Sequence, residues 1–222
     1  MQKCPKQGVA MKNIPHSKLE GKGIYAITDN AYYHNLEQLE HQVTAALQGG
    51  ISILQYRNKT ALLEQKEEEV SVLKKLCRYY NVPLIINDDV SLAQQFQLGV
   101  HLGRQDGDIE QARAKLGKNV IIGATCHQSI ETAQELEHLV DYVAFGACFP
   151  SRTKPNTTLL NHKVLKDAKN ALACKIIAIG GIDLHNARSI IDYGVDYIAC
   201  IAAIWSAKDI EKQCQKLTAL FL

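Results

Sequence analysis

The chain has 222 residues, of which 46% are hydrophobic and 22% are charged, a composition typical of a globular protein with a large buried core. Its formal net charge of +2 is too small to indicate nucleic-acid binding through bulk electrostatics. No apolar run approaches the roughly 20 residues that a membrane-spanning helix needs. The length fits one large α/β domain or two small ones.

The cysteines and the N-terminal segment indicate a cellular compartment. The seven cysteines are scattered, and no Cys-x-x-Cys pair occurs. This pattern is typical of a reducing cytoplasm and does not indicate a disulfide framework or a zinc site. The first 22 residues contain five lysines but no apolar segment of a secretory signal. We therefore expect a cytoplasmic protein in which residues 1–22 form an N-terminal extension of uncertain order.

From Gly23 onward, short β-rich runs alternate with helical patterns. Apolar residues at helical spacing, such as Leu36, Leu39 and Val43, precede Gly49-Gly50, and a second helical pattern covers 61–80. Most β-rich runs are continuously apolar, as parallel strands covered on both faces are. Eight such units in residues 23–222 predict a single-domain (β/α)8 TIM barrel, with a doubly wound open sheet of five or six strands as the alternative. The predicted strands cover 24–28, 51–55, 83–87, 99–102, 120–123, 142–146, 175–179 and 195–201.

The end of the second predicted strand carries Gln55, Arg57 and Lys59. Strand side chains alternate between two faces, so these three would project on one side if the extended geometry persists. An amide and two cations at one strand end suit a small polyanion. An isolated Arg-x-Lys is more often a solvated rim, so the decision depends on what the other strand ends carry.

Two carboxylates follow the third and fourth predicted strands. Asn87-Asp88-Asp89 ends the third strand, and Asp106 lies in the loop after the fourth. Proteins hold Mg²⁺ with one or two carboxylates together with waters and substrate phosphate oxygens. The alternatives are a helix N-cap at Asp88 or Asp89 and a simple turn at Asp106. Two acids on neighbouring strands beside cationic residues favour the metal site.

The later strand ends add groups that suit phosphates. Thr125 follows the fifth strand, Ser151, Thr153 and Lys154 follow the sixth, and Gly180-Gly181 follows the seventh. Each segment taken alone is also consistent with an ordinary solvated loop. Together they suggest a diphosphate ester bound through Mg²⁺ and a second phosphorylated molecule, and hence transfer of the group that the diphosphate leaves behind. A Schiff base at Lys59 or Lys154 would need an apolar pocket, which their polar neighbours do not provide.

Motifs along nearly the whole chain after Gly23 resemble those of the thiamine-phosphate synthase (thiamine-phosphate pyrophosphorylase) family. They occur in that family's order, and together they are specific although no single one is. The matching segments are 25–29, Gln55-x-Arg57-x-Lys59, 86–88, 99–103 with Asp106, Ile122-Gly123-x-Thr125-x-His127, 141–142, Phe149-Pro150-Ser151-x-Thr153-Lys154 and 178–182.

The resemblance implies a (β/α)8 barrel that joins hydroxymethylpyrimidine diphosphate to the nitrogen of hydroxyethylthiazole phosphate, giving thiamine phosphate and pyrophosphate. It implies a dissociative route in which pyrophosphate leaves first and the thiazole nitrogen captures a pyrimidine carbocation. The implied diphosphate-binding residues are Gln55, Arg57, Lys59, Asn87 and Lys154; the implied Mg²⁺ ligands are Asp88 and Asp106; and the implied thiazole phosphate-binding residues are Thr125, Ser151, Thr153, Gly181, Ile201 and Ala202.

Some positions depart from the family pattern, and two other functions stay open. Thr125 and Ala202 stand where the family usually has Ser, Ser151 where it has Thr, and Arg104 where Gln is common. These changes concern substrate affinity more than reaction type. The alternatives are a thiazole tautomerase-like enzyme and a non-catalytic barrel that binds phosphorylated ligands; the full polar set favours the synthase. We expect small-molecule substrates and neither nucleic acid nor membrane as partners, and a homo-oligomer stays open.

Overall fold

The protein is described by a computed structural model that covers residues 18–103, 106–150 and 158–222. Eight parallel strands close into a barrel in chain order, and β8 pairs with β1. This confirms the predicted TIM barrel and excludes the doubly wound open sheet. The strands are β1 Gly23–Ile27, β2 Ile53–Tyr56, β3 Leu84–Asn87, β4 Gly99–Leu102, β5 Ile122–His127, β6 Tyr142–Phe145, β7 Lys175–Ile179 and β8 Tyr197–Cys200.

Helices follow the strands and cover the outside of the barrel. The side chain of Asn35 caps the first helix by accepting the Gln38 N–H, and the helix ends at Gly49, as predicted. The second helix ends where Asn81 takes a left-handed conformation with φ 56°. The helices are α1 Leu36–Gln48, α2 Leu63–Tyr80, α3 Val90–Phe96, α4 Ile109–Leu116, α5 Ile130–Leu136, α6 Lys163–Ala171, α7 Ala187–Ile191, α8 Ala202–Trp205 and α9 Ile210–Thr218, followed by the short 3₁₀ segment Ala219–Phe221.

The fifth strand differs most from the sequence-based prediction. It was predicted to end at Gly123, but it continues through Thr125 to His127. Thr125 pairs with Ala144 and His127 with Phe145, and the register shifts between these two pairs. The prediction stopped early because polar residues interrupt the apolar run. In a barrel, however, inward positions near the C-terminal rim of a strand can carry polar groups.

The core has two layers. One lies between the strands and the helices; the other fills the barrel interior and includes Tyr25, Ile53, Tyr142 and Tyr197. All four of these side chains are buried. The interior is therefore a packed core and not a pore, and ligands have access only at its ends.

Residues just before β1 cover the N-terminal end of the barrel. Leu19 packs against the interior layer, and the carbonyl oxygen of Glu20 accepts the Tyr197 hydroxyl at 2.7 Å. Residues 1–17 lie outside the described part, so the predicted division into an extension at 1–22 and a barrel at 23–222 stays a prediction. Across the described residues, we find no helix with the length and apolar character that a membrane crossing requires.

Candidate active site

A cleft of about 530 Å³ opens at the C-terminal ends of β2 and β3. Four predicted site residues line it, namely Lys59, Asn87, Asp88 and Asp106. Asn87 is the last residue of β3, the other three lie in the loops after β2, β3 and β4, and barrel closure brings them together. The cleft therefore collects a cation, an amide and two carboxylates at the end of the barrel where TIM-barrel enzymes carry their active sites.

The structure assigns different roles to the two adjacent acids after β3. The Asp89 side chain accepts the Leu92 N–H at 2.9 Å and caps α3. Asp88 takes a left-handed backbone conformation with φ 63°, and its carboxylate accepts a hydrogen bond from the Asn87 amide. Such backbone strain is tolerated at functional positions, and Asp is one of the few residues that adopt it. The N-cap alternative thus holds for Asp89, although both acids line the cleft.

Asp88 and Asp106 form a like-charge pair. Burial raises the pKa of the Asp88 carboxyl, and the negative charge of Asp106 raises it further, against the opposing effects of Lys59 and Asn87. A Cβ at Gly103 would collide with the Asp106 carboxylate, so the glycine lets Asp106 fold back towards the barrel. The described residues contain no group of three or more His, Cys, Asp or Glu side chains placed to hold a metal. Two carboxylates alone fit Mg²⁺, which keeps waters and substrate oxygens as its other ligands.

The three residues predicted to share one face of β2 have separate environments. The strand ends at Tyr56, so Arg57 and Lys59 lie in the loop that follows. Gln55 is buried in the barrel interior, where its Nε2 donates to the Tyr25 hydroxyl at 2.7 Å. Arg57 lies 3.4 Å from an Asp29 carboxylate oxygen. The extended geometry that a common projection required ends at Tyr56, and only Lys59 of the three lines the 530 Å³ cleft.

A buried carboxylate that the sequence reasoning missed supports the loop of Lys59. Glu69 of α2 is 2% exposed and accepts hydrogen bonds from the hydroxyls of Tyr33 and Tyr56 and from the Asn58 amide. Burial raises the pKa of both tyrosines, so both hydroxyls remain protonated donors. Tyr56 and Asn58 therefore hold the start of this loop against α2.

A chain of hydrogen bonds crosses the barrel interior and ends at two predicted site residues. Thr125 Oγ1 lies 2.8 Å from His101 Nε2, and His101 Nδ1 lies 3.0 Å from the Tyr142 hydroxyl. Tyr142 and Tyr25 share a hydrogen bond of 2.7 Å, and Tyr25 accepts from Gln55. Burial lowers the pKa of His101 to about 4, so its ring is neutral at pH 7. His101 is a packed core residue, and Thr125 lines a second cleft of about 280 Å³.

The ends of β7 and β8 present backbone groups. Gly181 has a φ of 62°, and a Cβ there would lie 2.5 Å from the Pro150 carbonyl oxygen, so only glycine fits. Ile201 follows β8 and occupies the N-cap position of the short helix α8, which begins at Ala202. The three predicted thiazole phosphate-binding positions Gly181, Ile201 and Ala202 therefore all lie at the C-terminal ends of neighbouring strands.

The remaining predicted site residues fall outside the described part of the chain. Ser151, Thr153 and Lys154 belong to the undescribed segment 151–157, and Arg104 belongs to 104–105. Their predicted roles stay predictions. The structure adds Lys66 and Ser91 to the lining of the larger cleft, which no motif had indicated.

The comparisons with known proteins agree on one family. The family model for thiamine monophosphate synthase matches residues 24–204. A thiamine-phosphate synthase from Methylobacillus flagellatus is 45% identical over 208 residues, covering 93% of this chain and 98% of that protein. A thiamine-phosphate synthase from Thiobacillus denitrificans is 40% identical over 201 residues, covering 90% and 94%.

Solved structures agree with the sequence comparison. A thiamine phosphate pyrophosphorylase from Pyrococcus furiosus superposes with a TM-score of 0.81 at 31% identity, covering 94% of this chain and 98% of that chain. A (S)-3-O-geranylgeranylglyceryl phosphate synthase from Thermoplasma acidophilum shares 12% identity at a TM-score of 0.67, which shows the fold alone. The chain therefore belongs to the thiamine monophosphate synthase family and is an enzyme of the transferase class.

Proposed function

We propose that the protein is a thiamine-phosphate synthase. It transfers the hydroxymethylpyrimidine group from its diphosphate to the nitrogen of hydroxyethylthiazole phosphate, and it releases thiamine phosphate and pyrophosphate. The observation that carries this proposal is the cleft in which the like-charge pair Asp88 and Asp106 lies beside Lys59. A cation would stabilise the two neighbouring carboxylates, and an anion would bind the nearby lysine. A metal-bound diphosphate supplies both charges.

The residues of the larger cleft would bind the leaving diphosphate. Asp88 and Asp106 would hold Mg²⁺, which when bound neutralises part of the diphosphate charge. Lys59 and Asn87 line the same cleft and would bind diphosphate oxygens, with Arg57 and Lys154 completing the cationic set. Gln55, at the top of the interior layer, would contact the pyrimidine end of the same substrate.

A dissociative reaction needs stabilisation of the leaving anion and no nucleophile on the protein. No histidine or cysteine lines the larger cleft among the described residues. Its polar groups are carboxylates, amides, hydroxyls and ammonium groups suited to ion binding. This composition supports a route in which pyrophosphate leaves first and the thiazole nitrogen then captures the carbocation.

The second substrate would bind at the later strand ends. Backbone N–H groups at Gly181 and around Ile201-Ala202 would hold the thiazole phosphate, as helix starts and glycine turns do in many barrels. Thr125, Ser151 and Thr153 would add hydroxyl donors. Ala202 keeps its backbone donor, so the family's usual serine at that position would contribute no more than about one hydrogen bond to a charged group.

The test is to mix both phosphorylated substrates with Mg²⁺ and to measure pyrophosphate and thiamine phosphate over time. Equal amounts of the two products, lost on chelation of the metal and restored by Mg²⁺, would support the proposal. Isomerisation of a thiazole carboxylate without pyrophosphate release would establish the tautomerase alternative. Binding of both phosphorylated compounds without turnover would establish the regulatory one.

The same proposal includes a single barrel domain at 23–222, an extension at 1–22 and a cytoplasmic location. Limited proteolysis tests the first two: cleavage confined to residues before Gly23, with the barrel and its activity intact, is the expected outcome. An early cut inside the barrel would contradict the domain assignment.

A further inference from the structure

Five side chains from five strands form the hydrogen-bonded chain inside the barrel, in the order Gln55, Tyr25, Tyr142, His101, Thr125. The first four are each at most 9% exposed. The His101 ring stacks on Tyr142 with centroids 5.5 Å apart, and the Tyr25 ring meets Tyr142 edge-on at 5.7 Å. Packing and hydrogen bonding together fix the positions of these groups.

The chain can hold its protons in only two orders. Each tyrosine hydroxyl supplies one proton. The buried His101 ring also supplies one, because among the described residues its two ring nitrogens face only the hydroxyls of Tyr142 and Thr125 and no carboxylate, so every hydrogen bond must run in the same direction. In the first order, the Gln55 amide donates to Tyr25 and the chain ends with His101 Nε2–H donating to Thr125. In the second order, Thr125 donates to His101 Nε2, and the chain ends with Tyr25 donating to the Gln55 carbonyl oxygen.

The surroundings of Gln55 favour the first order. In the structure, Nε2 of Gln55 faces the Tyr25 hydroxyl, which leaves its carbonyl oxygen on the other side. Arg57 and Lys59 follow Gln55 at the same strand end. Cations at the C-terminal end of the barrel favour the amide oxygen over the amide N–H on the side away from Tyr25, because the oxygen carries partial negative charge.

We propose that this chain makes the Thr125 hydroxyl an obligate hydrogen-bond donor to the bound ligand, with His101 and Tyr142 as its positioning residues. The two atoms lie 2.8 Å apart. In the first order, His101 Nε2–H occupies a lone pair of Thr125 Oγ1, so the hydroxyl proton points away from His101. The matching acceptor is a phosphate oxygen of one of the two phosphorylated substrates, and this identification of the ligand rests on the proposed function. The branched Thr125 side chain has few rotamers, which helps to hold this direction.

The direction of the chain can be measured in the wild-type protein without substrate. Nitrogen NMR distinguishes a protonated ring nitrogen from a bare one, and the His101 signals are those missing from a His101→Asn variant. We expect a proton on Nε2 and a bare Nδ1 at pH 7. A proton on Nδ1 would mean that Thr125 is an acceptor and would overturn the inference, whatever the enzyme's activity.

The coupling between the chain and the ligand is tested with a double-mutant cycle of Tyr142→Phe and Thr125→Val. We expect Tyr142→Phe to raise KM for one of the two phosphorylated substrates about 5- to 10-fold, and to leave that KM unchanged in the Thr125→Val background. A merely structural role of Tyr142 would make the two effects multiply, and that result would contradict the proposal.

The matched control is Tyr197→Phe. Tyr197 is another buried interior tyrosine, but its hydroxyl donates to Glu20 at the opposite end of the barrel. We expect this variant to lose stability without changing either KM in either background. If the wild type shows no turnover, the proposed function fails, and the NMR measurement still decides the direction of the chain.

Discussion

Carboxylates at the two ends of the barrel have opposite kinds of charged neighbour. At the N-terminal end, Asp141 and Asp196 each come directly before a strand. Each accepts hydrogen bonds from a basic side chain and from a backbone N–H. Asp141 Oδ2 lies 2.9 Å from Arg113 and 2.8 Å from the Ile122 nitrogen. At the C-terminal end, which is the mouth of the barrel, Asp88 has another carboxylate, Asp106, as its charged neighbour. Charges at one end are satisfied within the protein, and charges at the other are left for a ligand.

The pKa shifts of the buried Asp196 and the half-buried Asp88 show the same contrast. Burial opposes ionisation of Asp196, but the Lys169 ammonium at 2.8 Å and the Ile176 N–H outweigh it and lower its pKa. Burial also opposes ionisation of Asp88, and Asp106 adds to it, so the pKa rises. The N-terminal end therefore contributes to stability, while the mouth keeps an electrostatic conflict that a cation would relieve.

The largest expected effect comes from removing one charge at the mouth. We expect Asp106→Asn to lower kcat/KM by about 10²- to 10³-fold, because the cation site loses one of its two carboxylates. Unfolding free energy should stay the same or rise by up to about 1 kcal/mol, since a like-charge contact disappears. Steady-state pyrophosphate release and urea unfolding measure the two effects.

The control for this variant is Asp108→Asn, two residues further along. Asp108 caps α4 by accepting the N–H groups of Glu110 and Gln111, and asparagine can keep this role. Its kcat/KM should match the wild type. Near-normal turnover of Asp106→Asn, or an equal loss in Asp108→Asn, would remove Asp106 from the proposed site.

The converse change at the N-terminal end should affect stability alone. We expect Asp196→Asn to lose roughly 1.5–3 kcal/mol of unfolding free energy at pH 7, because a buried carboxylate with charged partners is replaced by a neutral amide. The kcat/KM should not change, since the site lies at the other end of the barrel. A large loss of activity in a folded Asp196→Asn protein would end the proposed separation of the two ends.

The stability loss in Asp196→Asn should also depend on pH. The folded pKa of Asp196 lies below its unfolded value of about 3.9, so its stabilisation is present above roughly pH 4 and is lost as the pH falls through the folded pKa. The difference between wild type and variant should therefore be constant from pH 7 to pH 5 and should shrink below pH 4. Urea unfolding at pH 7, 5 and 3 measures this.

The sequence predicted the barrel but not the internal contacts of the site. Apolar runs and helical spacing are local signals, and they sufficed for eight strands and for the C-terminal end of α1. The separate roles of Asp88 and Asp89 depend on the left-handed turn at Asp88, which residue type alone does not specify. The bond between Tyr25 and Tyr142 joins residues 117 positions apart, so it becomes visible only when the barrel closes.

Asp29 also lies at the mouth, but its charged neighbour is the cation Arg57 and not a second carboxylate. It therefore tests whether a paired carboxylate at this end serves substrate binding or stability. The Arg57 side chain is 22% exposed, that of Asp29 is 11% exposed, and the atoms are 3.4 Å apart. We expect Asp29→Asn to raise KM for the diphosphate substrate about 10-fold, because Arg57 loses the partner that orients it, while unfolding free energy falls by less than about 1 kcal/mol. A stability loss as large as that of Asp196→Asn, with KM unchanged, would make this pair structural.

The smallest expected effect concerns an exposed pair near the C-terminal end of α7. Arg188 Nε lies 3.0 Å from Asp192, with side chains 66% and 60% exposed. Helix C-termini in this fold lie at the same end of the barrel as Asp196. Asp192 and Asp196 therefore share this end but differ in burial. We expect Arg188→Ala to change unfolding free energy by no more than about 0.5 kcal/mol, and to leave kcat/KM unaltered, because water screens the pair. Urea unfolding in low salt and in 1 M NaCl should show this small loss disappearing at high salt, while the Asp196→Asn loss persists. Equal losses in the two variants would mean that position at the N-terminal end, and not burial, determines what a carboxylate contributes.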